Sequence, residues 1–256
     1  MNSSTPYLLS TVTFQELKKR TVQLAVLPWG ATEAHNYHLP YGTDNIEAEH
    51  IASAAAALAW NAGTDLIVLP VIPFGVNTGQ ADILLDMNLN PSTQRAILGD
   101  LITVLNRQGI QKLLIVNSHG GNDFKAILRE LGLQFPEMML CTCNWFQSLN
   151  RSEYFEEPGD HADELETSLM LHIAPETVRP LQIAGTGAEK RPRIQAFREG
   201  WAWMERKWSQ VTEDTGTGNP HKSTAEKGAA YFEQVTKKMA RLMTDIALAD
   251  RNDLYL

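Results

Sequence analysis

The sequence is poor in cysteine, with two residues, Cys141 and Cys143, in a chain of 256. Their Cys-x-Cys spacing in an apolar run puts both on one face of a strand, where a bridge between them would be strained. They read as reduced residues packed into the core, which excludes a disulfide framework and suits a reducing compartment. No apolar run approaches the roughly 20 residues that span a bilayer, so no membrane partner is expected. The opening stretch, MNSSTPYLLSTVTFQELKKR, has no basic start followed by a long apolar segment. No secretory signal is therefore expected, and the chain reads as cytoplasmic. Basic residues are outnumbered: 22 Lys and Arg against 30 Asp and Glu leave a net charge of −8. With no long Lys/Arg-rich run either, nucleic acid is excluded as the main partner. A small-molecule substrate is expected instead.

What is present is a pattern of apolar runs alternating with helical periodicity. The chain is 43% hydrophobic, enough for one sizeable α/β core and one domain over residues 1–256. Val22–Pro28, Asp65–Val71, Lys112–Asn117 and Met138–Asn144 read as buried strands. Helices are predicted over Asn45–Ala62, with Asp44 as a possible N-cap, and over 90–109, with Pro91 near its start and Gly109 at its end. Others run from about Phe124 to Leu133, from near Ala162 to Pro175, and through the C-terminal stretch to about Leu248. The segment 185–221 is loop-rich and fits a lid or a subunit contact. Alternation of this kind predicts a three-layer α/β sandwich with a mostly parallel central sheet. Ligands in such sheets bind beyond the carboxyl ends of the strands.

Three polar motifs lie where that rule puts a site. WGATEAHNYHLPYGTD follows the first strand and carries Glu33, His35, His38 and Asp44. SHGGND follows the third strand, with His119 at its tip and Gly120 and Gly121 able to make a tight turn. HADELETS opens a helix with His161, Asp163, Glu164 and Glu166, although acidic residues also favour a helix's first turn through its dipole. Imidazoles and carboxylates together suit Zn²⁺, Mn²⁺ or Fe²⁺. Glu33, His35, Asp44, His119 and one of Glu164 or Glu166 make five ligands. That number fits two ions bridged by an Asp better than one, with a shared water turned into a hydroxide nucleophile.

These motifs resemble those of the creatininase (creatinine amidohydrolase) family. LPWGATEAHNYHLPYGTD is similar to its Leu-Pro-x-Gly-x-x-Glu-x-His-Gly-x-His-Leu-Pro-x-x-Thr-Asp signature, and NSHGGN to its Asn-Gly-His-Gly-Gly-Asn. HADELETSLML and GTGNPHKSTAEKG resemble two later elements, in order along the chain. The resemblance implies one α/β domain, two divalent metal ions, hydrolysis of non-peptide C–N bonds in cyclic amides, lactams or formamides, and a homo-oligomer, often a hexamer. By matching position, Glu33, Asp44 and His119 would hold one ion, and His35 and Asp44 the other. Glu166 is the expected last ligand, Glu164 the second choice, and Zn²⁺ the metal expected first.

His161 matches the family's proton donor. Asn122 and the backbone at Gly120 are expected to steady the oxyanion, and His38 to orient a neighbour. Gly120-Gly121 stands where creatininase itself has Tyr-Glu, which argues against creatinine as substrate. Asn36 and Asp163 stand where the family has glycine, and both are expected to narrow or polarise the pocket. Tyr37, Trp145, Trp201, Trp203 and Trp208 are candidate pocket or interface aromatics, the last three expected on a helix packed against the body or a neighbouring subunit. Two other readings stay open. The same metal site could serve peptide trimming in cofactor maturation or C–O cleavage in sugar or inositol breakdown. Alternatively, the chain is a catalytically silent oligomeric binding protein.

Overall fold

The protein is described by a computed structural model over residues 5–256. Four strands, β1 (Leu24–Trp29), β2 (Leu66–Val68), β3 (Lys112–Asn117) and β4 (Met139–Asn144), form a parallel sheet in the order β2-β1-β3-β4. The apolar runs become central strands because side chains on both faces meet helices. On one face Leu24, Val26, Leu114 and Val116 pack with Ile51, Leu169 and Tyr231. On the other, Ala25, Leu27, Leu113 and Ile115 pack with Leu98, Ile102 and Leu131. After a one-turn helix, α1 (Phe14–Leu17), the first face is covered by α2 (Thr43–Asn61), α5 (Glu164–Ile173) and α8 (Ala225–Leu248), the second by α3 (Pro91–Arg107) and α4 (Phe124–Gln134). Each fully buried Leu or Ile contributes roughly 1.5–3 kcal/mol. The three-layer expectation holds.

Helix starts follow the polar residues before them. Asp123 caps α4 by accepting from the Lys125 N–H, and Thr224 caps α8 by accepting from that of Lys227. Asp163 accepts from the Leu165 and Glu166 N–H groups and so fixes where α5 begins. Asp44 does not cap α2. It lies in the first turn, behind Gly42, whose position makes no side-chain cap. Its carboxylate is turned instead toward two histidines, a stronger attraction than a backbone N–H.

Cys141 and Cys143 are free and pack against the first core, Cys143 Sγ lying 3.8 Å from Met239 Sδ. Burial pushes the Cys143 thiol up to about 12, which leaves it unreactive.

Two features were not legible in the pattern. His161 ends a short strand, β5 (Gly159–His161), paired antiparallel with β6 (Thr217–Gly218). Besides β6 and a 3-10 turn at Pro220–Lys222, the 185–221 segment holds only two short helices, α6 (Gln195–Arg198) and α7 (Trp208–Val211), neither with a buried residue. Trp201 and Trp203 therefore lie on irregular chain and not on the expected helix. No helix among the described residues is long and apolar enough to cross a membrane.

Register sets the site. Trp29 pairs with Asn117, and Asn117 with Asn144, so β1, β3 and β4 end level. The chain after β1 and the chain after β3 leave the sheet side by side.

Candidate metal centre

Asp44 is the hub of this edge. Its Oδ1 lies 3.1 Å from His35 Nε2 and its Oδ2 lies 3.1 Å from His119 Nδ1. Glu33 Oε1 is 2.9 Å from the same His119 Nδ1. The outer nitrogen of each imidazole is tied to a backbone carbonyl: His35 Nδ1 to Glu33 O at 3.0 Å, His119 Nε2 to Val76 O at 3.0 Å, and His161 Nε2 to Ala34 O at 2.8 Å. A carbonyl only accepts, so those outer nitrogens carry the hydrogen. The inner nitrogens face carboxylates, so a positive charge is needed between them, supplied by a second proton on the imidazole or by a cation that takes that proton's place. Metal-binding histidines are commonly held this way.

The charges agree. Burial would depress His119, yet the Glu33 and Asp44 carboxylates raise it well above its ordinary value. Burial also opposes His35, but Asp44 raises it to about 10. Glu33 and Asp44 are lowered, because the adjacent histidines outweigh the cost of burial. Burial raises Glu166 to about 8, against the pull of His35. Among the described residues no lysine or arginine pairs with Glu33, Asp44 or Glu166, so the protein supplies no permanent cation to this buried acid cluster.

Two sets of ligand atoms gather within 4.8 Å, Glu33/Asp44/His119 and His35/Asp44/Glu166, and they share Asp44. A third set joins Glu33 and His35 with His161. Glu166 and not Glu164 reaches the cluster. Glu164 turns away to pair with Lys227 and to accept from the backbone N–H groups of Glu156 and Glu157. His161 stacks on His35 at 4.1 Å, and its Nδ1 is 3.8 Å from Glu33 Oε1. His38 stays outside the cluster, its Nε2 being 2.8 Å from Thr167 Oγ1, which links the first loop to α5.

The side-chain role expected of Asn122 is corrected by its contacts. Its Oδ1 accepts from the Val76 N–H and Gln94 Nε2, and its Nδ2 donates to Asn117 Oδ1. The amide is committed to the scaffold under His119 and is not free for an oxyanion. Gly120 and Gly121 do line the cavity.

Asn36 does not narrow the pocket. It adopts φ 55°, the left-handed region that explains the glycine of the family signature, and its side chain exchanges hydrogen bonds with Gly185. Asp163 does line the pocket, but its Oδ2 is held by Arg151 at 2.6 Å.

Two participants escaped sequence reasoning. Gln80 donates to Glu33 Oε2 from a loop whose position no motif announces. Glu47 sits one turn beyond Asp44, fully buried, with both oxygens unpartnered. The i, i+3 spacing from Asp44 was the signal that could have found it. Trp208, one of the candidate pocket aromatics, packs edge-on to His161 at 4.7 Å.

The cluster floors a cavity of about 1080 Å³. Trp203 and Trp208 line it. Trp145 is core, donating from Nε1 to Ser118 Oγ, and Tyr37 is an exposed residue bonded to Glu213 O.

A parallel sheet that gathers imidazoles and carboxylates at its carboxyl edge has the build of a metal-dependent hydrolase. The chain belongs to the creatininase family: the family model described as creatinine amidohydrolase matches residues 8–243. A putative creatinine amidohydrolase from Bacteroides fragilis has a similar structure, at 41% identity and TM-score 0.92 over the whole of both chains. A creatinine amidohydrolase (creatininase) structure matches at 18% identity and TM-score 0.78, covering 95% of this chain and 99% of that one. At that identity it speaks for the fold alone. Related creatininase structures are described as Zn–Zn type and as Mn. Among characterised relatives, the mycofactocin precursor peptide peptidase of Mycobacterium tuberculosis (strain CDC 1551 / Oshkosh) is 27% identical over 238 residues, 85% of each chain.

Proposed function

We propose that this protein hydrolyses a non-peptide C–N bond, in a cyclic amide, lactam or formamide, with a binuclear divalent metal centre. The observation that carries the reading is the pair of ligand sets sharing Asp44, with every imidazole pinned from behind by a backbone carbonyl. Glu33, Asp44 and His119 would hold one ion and His35, Asp44 and Glu166 the other. This donor set accepts Zn²⁺, Mn²⁺ or Fe²⁺, with Zn²⁺ the first choice. Bound ions supply Lewis acidity and a water that ionises near neutral pH.

The remaining work falls to the chain. His161 keeps its Nε2 hydrogen on Ala34 O and turns Nδ1 inward. Burial, helped by the neighbouring His35, lowers its affinity for a proton, so a proton taken at Nδ1 is readily handed to the leaving nitrogen. The backbone at Gly120 lines the cavity and is the proposed oxyanion contact. Asn122 positions that turn. A cytoplasmic homo-oligomer taking a small-molecule substrate completes the reading.

A second reading, peptide trimming with the same centre, is favoured by the peptidase names of the curated relatives and by a cavity of about 1080 Å³, just above the ~300–1000 Å³ usual for drug-sized ligands. The test is elemental analysis of protein purified without chelator, followed by assay on lactams, formamides and short peptides. About two ions per chain with lactam or formamide turnover supports the first reading. Turnover of peptides alone transfers support to the second, and a chain that takes up no Zn²⁺ or Mn²⁺ overturns both.

A further inference from the structure

We infer that the strap over residues 199–211 is the specificity wall of the site, and that Trp203 and Trp208 select substrates carrying a planar or aromatic group beside the scissile amide. The inference rests on the metal-hydrolase reading for where that amide lies.

The strap crosses beside the metal centre without contributing to either core. Its helix α7 has no buried residue, and its attachments are polar: Glu205 accepts from Thr78, Ser209 donates to Asp82, and Arg206 pairs with Asp160 at 2.8 Å. Arg206 also lies 4.8 Å over the Trp208 ring, and Trp208 meets His161. A continuous brace thus runs from Asp160 through Arg206 and Trp208 to the imidazole assigned to proton transfer.

Trp203 is different. It lines the same cavity yet is 84% exposed, so most of its indole is open to a ligand. Leaving so large an apolar ring in water forgoes burial that an occupant would restore. Space matches it, since a Cβ added at Gly120 would meet nothing within 4 Å. A small lactam or formamide alone would leave most of this cavity empty.

Benzohydroxamate and acetohydroxamate share a metal-chelating head and differ as ring against methyl. Their dissociation constants on metal-loaded protein are measured by calorimetry for wild type, Trp203→Ala, Trp208→Ala and Trp208→Phe. The expected result is a preference for the aryl compound of about tenfold or more in wild type. It falls to about twofold in either alanine variant and is largely kept in Trp208→Phe. A fold defect would weaken both compounds together and leave the ratio intact.

An unchanged ratio in both alanine variants overturns the inference. So does a Trp203→Ala variant that alters oligomeric state while keeping the ratio. Failure of the metal reading looks different: acetohydroxamate then binds no better with Zn²⁺ or Mn²⁺ than without. In that case benzamide against acetamide on metal-free protein reads the wall alone, and equal binding there overturns it.

Discussion

Asp44 and His119 meet at 3.1 Å although 75 positions separate them, and on its other oxygen the same carboxylate faces His35. One side chain thus joins the loop after β1, the turn after β3 and the first turn of α2. Anything that displaces it should be felt by both halves of the centre.

The contrast between Glu166 and Glu164 gives the first test. Glu166→Ala should reduce bound metal from about two ions per chain to about one, while Glu164→Ala keeps about two. Elemental analysis reads both. Equal metal content in wild type and Glu166→Ala would remove Glu166 from the ligand set.

Gly75 is a close packing constraint on His119. A Cβ there would lie 2.6 Å from His119 Cδ2 and 2.8 Å from the Ala31 Cβ. Gly75→Ala should push the imidazole off Asp44 and weaken metal binding by roughly 10-fold or more, with a native circular dichroism spectrum. Unaltered metal affinity would show that His119 is not held where binding needs it.

Glu164 predicts a pH dependence of stability. Burial opposes its ionisation, but Lys227 and two backbone N–H groups outweigh burial and lower its pKa below the ordinary 4.5. A lowered folded value means stability that is present above the unfolded value and lost as pH falls through the folded one. Glu164→Gln should cost about 1 kcal/mol near neutral pH, since Lys227 is partly exposed and keeps Glu156 as a partner. Chemical denaturation at several pH values should find that gap closing as pH falls from about 6 toward about 3. A gap independent of pH would refute the pairing.

Asn36 separates backbone strain from side-chain bonding. Asn36→Ala keeps φ near 55° but loses the hydrogen bonds to Gly185, whereas Asn36→Gly loses only the bonds. The alanine variant should be less stable than the glycine variant by about 1–2 kcal/mol. Thermal unfolding compares them, and equal stabilities would mean the loop relaxes out of the left-handed region.

By itself the sequence determined the layers and the edge that carries the site. Apolar runs such as Lys112–Asn117 have nowhere to go but a doubly covered strand, and the polar motifs stand directly after two of those runs. Glu33, His35, Asp44 and His119 were legible for that reason, since each lies a few residues from a strand end or a helix start. Only tertiary structure turns Glu166 toward the cluster and Glu164 away from it. Both belong to the first turn of α5, and the choice depends on Lys227, 63 residues away, drawing one of them off. It also decided that Asn122 serves the scaffold, because Val76 and Gln94 reach it from other elements. The strap at 199–211 was legible only as part of a loop-rich stretch fitting a lid or a subunit contact, not in how it is attached. Its attachments are side-chain contacts to distant loops, which leave no periodicity for a sequence to display.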